Sequence, residues 1–312
     1  MTIRDELAAW AGRRGYRWAA ASVALVDEVR RVFERRLAAQ EIEAGYYRDN
    51  LGSLTWLEKS SFAEPASIIL VAVPRPAHIL VFNWGGHKIE AVLPPTYVRY
   101  RGTFADIRDD LAEAVAGFRG RLELLDAPLK ALGNRMGLLT HGRNNIGYVE
   151  GMGSYFQLVG LLSDMRLHEP GDAPRSEEAL LLRCEKCRTC AAACPTGAID
   201  QERILLHAEK CYTLFSESLN PIPESLRPPS PRCLIGCLRC QDVCPENKGR
   251  LKYEPTGIAF TEDETESFLG LAEGSERGLD EIRAKLRDLG LSGDTRLHAR
   301  NLKILLACRR RR

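Results

Sequence analysis

Apolar positions along the chain change their period several times, and each change predicts an element. Thr2 to Arg13 reads as a helix, with Thr2 at the N-cap and Asp5-Glu6 in the first turn, where the helix dipole favours negative charge. Tyr16 to Leu25 reads as a strand. From about Val26 to Ala44, apolar residues recur three and four apart among arginines, which predicts a long amphipathic helix. Ser67-Ile68-Ile69-Leu70-Val71-Ala72-Val73 is apolar almost throughout and bounded by prolines, the pattern of a buried strand. His78 to Asn83 and Lys88 to Leu93 flank Gly85-Gly86 and predict a hairpin, and Phe104 to Leu122 returns to helical spacing. Strands and helices alternate through the first 165 residues, so a layered α/β domain is expected there.

Glu169 to Arg175, Glu-Pro-Gly-Asp-Ala-Pro-Arg, breaks the pattern as a linker. Asn220 to Pro231 holds five prolines and predicts an extended connection. Glu262 to Leu289 is helical again, and Thr295 to Arg312 reads as an amphipathic helix ending in four arginines. The expected organisation is a domain over 1–168, a second over 176–252 and a helical extension over 253–312.

The 312 residues carry 44 basic and 42 acidic side chains, so no global field obliges a nucleic-acid or membrane partner. No apolar run approaches the roughly 20 residues that span a bilayer. Arg13-Arg14 ahead of Trp18 to Val26 imitates a twin-arginine export signal. That stretch is short, lacks a small-residue cleavage site and runs into Asp27-Glu28-Val29-Arg30-Arg31, so a cytoplasmic location is expected.

Nine of the ten cysteines lie between Cys184 and Cys244. In a chain of this length they read as thiolate ligands in a reducing compartment rather than as a disulfide scaffold. Cys184-x2-Cys187-x2-Cys190-x3-Cys194-Pro195 is the bacterial [4Fe-4S] run, whose fourth cysteine ligates the other cluster in two-cluster proteins. Zinc motifs instead pair two cysteines and leave a long gap. The second motif, Cys237-x2-Cys240-x3-Cys244-Pro245, mirrors the end of the first. Crossed ligation gives one cluster Cys184, Cys187, Cys190 and Cys244, and the other Cys194, Cys237, Cys240 and one of Cys211 or Cys233. Cys308 fits better as an apolar residue of the last helix. A cubane held by four cysteines has no open position for substrate, so the pair conducts electrons and the chemistry lies elsewhere.

Leu125-Asp126-Ala127-Pro128-Leu129-Lys130, Met136-Gly137-Leu138-Leu139, Gly142-Arg143-Asn144-Asn145 and Gly153-Ser154-Tyr155-Phe156-Gln157-Leu158-Val159-Gly160 come in this order before Cys194-Pro195-Thr196-Gly197-Ala198-Ile199 and Gly236-Cys237-Leu238-Arg239-Cys240-Gln241-Asp242-Val243-Cys244-Pro245-Glu246-Asn247. The series resembles the epoxyqueuosine reductase family over roughly residues 60 to 250. The resemblance implies an α+β protein. Its N-terminal α/β domain would be of the corrinoid-processing, nitroreductase-like kind, related to reductive dehalogenases, and a ferredoxin-like double [4Fe-4S] domain would follow. It further implies a base-off cobalamin in that first domain, near Gly142, Arg143, Asn144, Asn145, Gly153, Ser154 and Tyr155. The Asp-x-His-x-x-Gly motif that gives cobalt a histidine ligand is absent, which fits a cobalt without a histidine ligand. Cys211 takes the disputed place on the second cluster, because the family sets an isolated cysteine between its motifs. Electrons would arrive from an external low-potential donor such as ferredoxin or flavodoxin.

Asp126 would be the proton donor, a role that calls for a carboxyl raised by apolar surroundings such as Leu125, Ala127, Pro128 and Leu129. Read without the family, it caps a helix beginning near Pro128. Gly142, Gly147, Gly151 and Gly153 suit either close approach of a flat cofactor or a plain turn. His87 and His141 read as structural.

Some positions depart from the family. Gly137-Leu138-Leu139-Thr140 replaces its Gly-Leu-Gly-Trp, Gly142-Arg143-Asn144-Asn145 its Gly-Lys-Asn-Thr, and Pro245-Glu246-Asn247 its Pro-Trp-Asn. About sixty residues follow the clusters, where tRNA-acting members often carry helical repeats; Arg296 to Leu306 reads as a remnant of one. The expected function is a cobalamin-dependent reductase acting on a small organic molecule or a corrinoid protein. A ferredoxin-like carrier or reductive activator without its own substrate site, and a tRNA-modifying reductase proper, are the alternatives.

Overall fold

The computed structural model describes residues 2–309 except 119, 170, 171, 173, 204, 251, 275–277 and 292. Arg310 to Arg312 of the expected basic tail, and Pro170, Gly171 and Ala173 of the expected linker, lie outside the described residues. The chain divides into two compact units that interleave in sequence, 1–74 with 101–188 and 201–206, and 75–100 with 189–200 and 207–312.

The first unit is a sheet between two helical layers. It contains α1 (Ile3–Arg14), β1 (Arg17–Ser22), α2 (Ala24–Ala38), the single turn α3 (Ala44–Tyr46) and β2 (Ser67–Pro74). After an excursion to the other unit come α4 (Tyr100–Ala114, all but its first residue), β5 (Leu122–Leu124), α5 (Leu129–Arg135), β6 (Thr140–His141), β7 (Gly147–Tyr148) and β8 (Phe156–Ser163). The sheet order is β1-β2-β8-β5, antiparallel throughout. Central β2 is buried from Ser67 to Val73 because both its faces are covered. Ile69, Val71 and Val73 meet Leu7, Trp10, Ile107 and Leu111 of α1 and α4; Ile68 and Leu70 meet Leu25, Val26, Val29 and Leu132 of α2 and α5.

Local chemistry sets the ends of these elements. Thr2 Oγ1 accepts from Asp5 N–H and Asp5 Oδ2 from Thr2 N–H, a capping box that starts α1 at the expected place. The helix expected to reach Ala44 stops at Ala38, since the Glu43 carboxylate caps a separate turn through the N–H groups of Gly45 and Tyr46. The helix expected to reach Leu122 stops at Ala114, because Leu122–Leu124 pair with the edge of β8.

The second unit holds β3 (Ala77–Trp84), β4 (His87–Leu93) and β9 (Tyr253–Phe260) in the order β4-β3-β9. Gly85 and Gly86, both left-handed at φ 58° and 73°, make the two-residue turn of the expected hairpin. Two expectations need correction. The hairpin does not join the sheet of the first unit, and the stretch after residue 252 is not wholly helical: β9 runs parallel to β3. The boundaries 1–168, 176–252 and 253–312 therefore do not coincide with the compact units. Pro255 and Gly257 inside β9 hide it from propensity reasoning. Three helices, α9 (Glu262–Leu271), α10 (Asp280–Asp288) and α11 (Thr295–Arg309), supply the rest of its core. Phe82 and Phe260 stack at 4.6 Å with Phe268 beside them, and burial of each ring contributes about 1.5–3 kcal/mol.

His298 is buried in α11, and burial pushes its imidazole down to about 4 against the opposing pull of Asp294. The unfolded chain binds a proton there below about 6.5. Stability from this group is therefore complete above pH 6.5 and falls away toward pH 4, by roughly 3 kcal/mol in all. Urea unfolding of His298→Gln between those pH values is expected to show a shallower acid-side loss than the natural chain. Among the described residues, no helix is long and apolar enough to cross a membrane.

Candidate iron-sulfur centre and the loop beside it

In the second unit, Cys190 lies on α6 (Thr189–Ala193), Cys211 directly precedes α7 (Tyr212–Ser216), and Cys240 lies on α8 (Arg239–Asp242). The turns α6 and α8 of the two cysteine motifs pack on each other. Cys194, Cys211, Cys237 and Cys240 lie within electrostatic reach of one another. Burial pushes the Cys211 and Cys240 thiols up, and that of Cys237 to about 11. Burial also opposes ionisation of Cys194, but the Thr196 hydroxyl, 3.6 Å away, and the N–H groups of Thr196, Ala198 and Ile199 outweigh it and hold this thiol below its usual range. Prolonged contact with N–H donors is how a protein stabilises thiolate and cluster charge.

Cys233 has a different setting. It forms a parallel bridge with Val92 at the edge of β4, between the Arg232 carbonyl, 2.8 Å from Val92 N, and Leu234 N, 2.9 Å from the Val92 carbonyl. It is buried next to Leu234 and Ile235 of the core, and burial raises its thiol steeply. Cys308 sits half-buried on α11.

Several residues that sequence reasoning passed over hold this array. Asn301 Nδ2 donates to the Ser216 carbonyl at 2.8 Å, and Ser216 Oγ accepts from Gly236 N–H at 2.8 Å. Arg300 reaches the Asn220 and Phe215 carbonyls, each at 2.8 Å. The last helix thus fixes the turn after Cys211 and, through Ser216, the turn before Cys237. Gly236 is left-handed at φ 75°, and a Cβ there would stand 2.7 Å from the Tyr97 hydroxyl, which itself donates to Glu217. Only glycine fits. A polar Arg-Asn pair interrupting an otherwise apolar helix face was the available signal.

Cys184 and Cys187 belong to the first unit, in and after a 3-10 turn at Leu182–Glu185. Arg143 holds this turn: its Nε and Nη2 each donate to the Cys184 carbonyl at 3.2 Å, and Nη1 donates to the Gln201 carbonyl at 2.7 Å. Nearby, His141 pairs its backbone with 179–181 and its side chain is buried, which pushes the imidazole down to about 4 although Glu178 pulls it up. The expectation of a structural histidine fits these contacts.

The loop 142–145 is largely self-satisfied. Buried Asn144 donates to the Tyr148 hydroxyl at 2.9 Å and accepts from Ile146 N–H, and a Cβ on Gly142 would meet the Tyr148 ring at 2.6 Å. Gly153, Ser154 and Tyr155 are buried as well. Arg143 and Asn145 keep partly accessible side chains, and Asn145 is left-handed at φ 58°.

Asp126 departs from both sequence expectations. It caps no helix, since α5 starts after Pro128 without a side-chain cap. It is exposed rather than desolvated, because the extended backbone turns Leu125 and Ala127 inward and Asp126 outward. Its Oδ2 accepts from Thr55 N–H at 3.0 Å and the Thr55 hydroxyl at 3.1 Å, and its carbonyl accepts from Trp56 N–H. Lys130, one turn along, donates to the Asn145 carbonyl at 3.1 Å, so Asp126 and the 142–145 loop flank the same helix α5.

Residues 183–247 match the family described as a 4Fe-4S double cluster binding domain, and the chain is accordingly a two-cluster iron-sulfur protein. Within that class it resembles the epoxyqueuosine reductases. One from Shewanella oneidensis is 32% identical over 174 residues, 51% of this chain and 42% of the relative. The matched part spans about two fifths of the length of such curated relatives. The structure of epoxyqueuosine reductase from Streptococcus thermophilus superposes with a TM-score of 0.69 at 20% identity, covering 99% of this chain and 82% of that one. An epoxyqueuosine reductase solved with an epoxyqueuosine-modified tRNA-Tyr stem loop gives 0.64 at 20% identity, over 98% and 81%. The Bacillus subtilis enzyme, solved with its catalytic aspartate loop swung out of the active site, gives 0.63 at 18% identity, over 98% and 82%. The α+β fold expected from the sequence is the fold of these proteins.

Proposed function

We propose that the chain is an iron-sulfur, cobalamin-dependent reductase of the epoxyqueuosine reductase kind, working in a reducing, cytoplasmic setting. The observation that carries this reading is the likeness of fold across 99% of the chain, joined to the double-cluster domain. Cys184, Cys187, Cys190 and Cys244 are assigned to one cluster and Cys194, Cys211, Cys237 and Cys240 to the other. What supports Cys211 over Cys233 is placement: Cys211 begins a turn held by Arg300 and Asn301, whereas Cys233 is buried in a bridge to Val92 of β4.

A corrinoid fits the first unit through what its residues leave accessible. Asp126 is exposed, Arg143 and Asn145 are partly so, and Asn145 and Gly151 present left-handed backbone, while the buried Asn144, Ser154 and Tyr155 frame the loop from within. When bound, a corrinoid supplies a redox-active cobalt fed by the clusters. Thr55 orients the Asp126 carboxyl, whose exposure would let it relay a proton from solvent to the substrate. Lys130 fixes Asn145 and so the loop. An external one-electron donor such as ferredoxin or flavodoxin supplies the current.

The substrate class best supported is an epoxide-bearing modified nucleoside in a tRNA stem loop, as in the solved neighbour. A small organic molecule is the second reading, favoured by the altered Gly137-Leu138-Leu139-Thr140 and Gly142-Arg143-Asn144-Asn145 loops. Reconstituted protein with a low-potential reductant and an epoxyqueuosine-bearing stem loop is expected to remove one oxygen atom, read by mass spectrometry. Unchanged RNA with clusters and corrinoid in place would exclude the tRNA substrate.

A further inference from the structure

We infer that Arg143 is a positioning residue that sets the reduction potential of the cluster ligated by Cys184. The inference rests on the double-cluster domain and on the Cys184 assignment, and not on the corrinoid. Three N–H groups of one guanidinium are committed to main-chain carbonyls, two contacts to Cys184 and one to Gln201. These carbonyls lie 41 and 58 residues along the chain from Arg143, so the contact is tertiary rather than a local turn. A lysine, which the resembled family carries at this place, offers a single rotatable ammonium and cannot span both carbonyls as a planar fork.

Two physical consequences follow. The fork fixes the backbone that carries the Cys184 thiolate, together with the 3-10 turn of Leu182–Glu185, whose Leu182 is the most exposed large apolar side chain among the described residues. The fork also brings a permanent positive charge to the main chain of a cluster ligand. A cluster gains negative charge on reduction, and nearby charge and hydrogen bonding are established controls of its potential, so Arg143 favours the reduced form. The same side chain belongs to the 142–145 loop, so the cluster ligated by Cys184 is the one whose ligand segment touches that loop.

The test is an EPR-monitored redox titration of the anaerobically reconstituted full chain. Arg143→Gln, with its iron content unchanged, is expected to lower one midpoint by about 59 mV, a tenfold shift in a one-electron equilibrium, and to leave the other in place. Arg143→Lys keeps the charge and is expected to lie between the glutamine variant and the natural chain. If the glutamine variant takes up less iron, Arg143→His replaces it, measured at pH 5.5 and 8.5. One midpoint should then rise on acidification more than it does in the natural chain. Unchanged midpoints, equal movement of both, or a lysine variant that falls as far as glutamine would overturn the inference. Failure of corrinoid binding would leave this titration unaffected, so the two proposals are separable.

Discussion

Replacing Cys211 by alanine is expected to leave a protein with one cluster. Iron and acid-labile sulfide should fall from about eight atoms of each per chain to about four, since each cubane holds four of each. Cys233→Ala should retain both clusters. The contrast follows from placement. Cys211 begins a turn clamped by Asn301 and Arg300 and lies within reach of Cys194, Cys237 and Cys240. Cys233 is held in a bridge to β4 and buried with Leu234 and Ile235. Its removal should instead cost stability, about 1 kcal/mol, as for other small losses in a core. Equal iron loss in both variants, or loss in Cys233→Ala alone, would reverse the assignment.

The second large effect concerns Asp126. Asp126→Asn keeps a side-chain oxygen for the Thr55 N–H and hydroxyl and leaves the Trp56 backbone contact untouched, so fold and cluster content should be unchanged. It removes the group able to give a proton. A positioned general acid contributes about 10²–10⁴-fold, and single-turnover rates with corrinoid and clusters loaded should fall by that factor. A variant as fast as the natural chain would return Asp126 to a purely structural role as the Thr55 acceptor.

Local rules made much of this protein legible. The Thr2 capping box, the two-faced burial of Ser67 to Val73 and the Gly85-Gly86 turn each rest on neighbours in sequence, and each stands where pattern predicts. The cysteine spacing was informative for the same reason: adjacent corners of a cubane need short gaps. What stayed hidden depends on distant partners. Strand β9 exists because β3 offers it an edge, despite Pro255 and Gly257. Asp126 faces outward because Thr55 and Trp56, 71 and 70 positions earlier, pair with it. Arg143 is positioned by carbonyls, and main-chain carbonyls carry no identity that a sequence can show. Ser216 was hidden on the same ground, while Arg300 and Asn301 left only the trace of a polar pair in an apolar helix face.

The central claim is that this chain holds a corrinoid as well as its two clusters. Anaerobic protein reconstituted with iron, sulfide and hydroxocobalamin, then freed of excess by gel filtration, provides the measurement through its absorption spectrum and metal content. About eight iron atoms and one corrinoid per chain are the expected result. Full iron content without retained corrinoid would contradict it and leave a two-cluster electron carrier in its place.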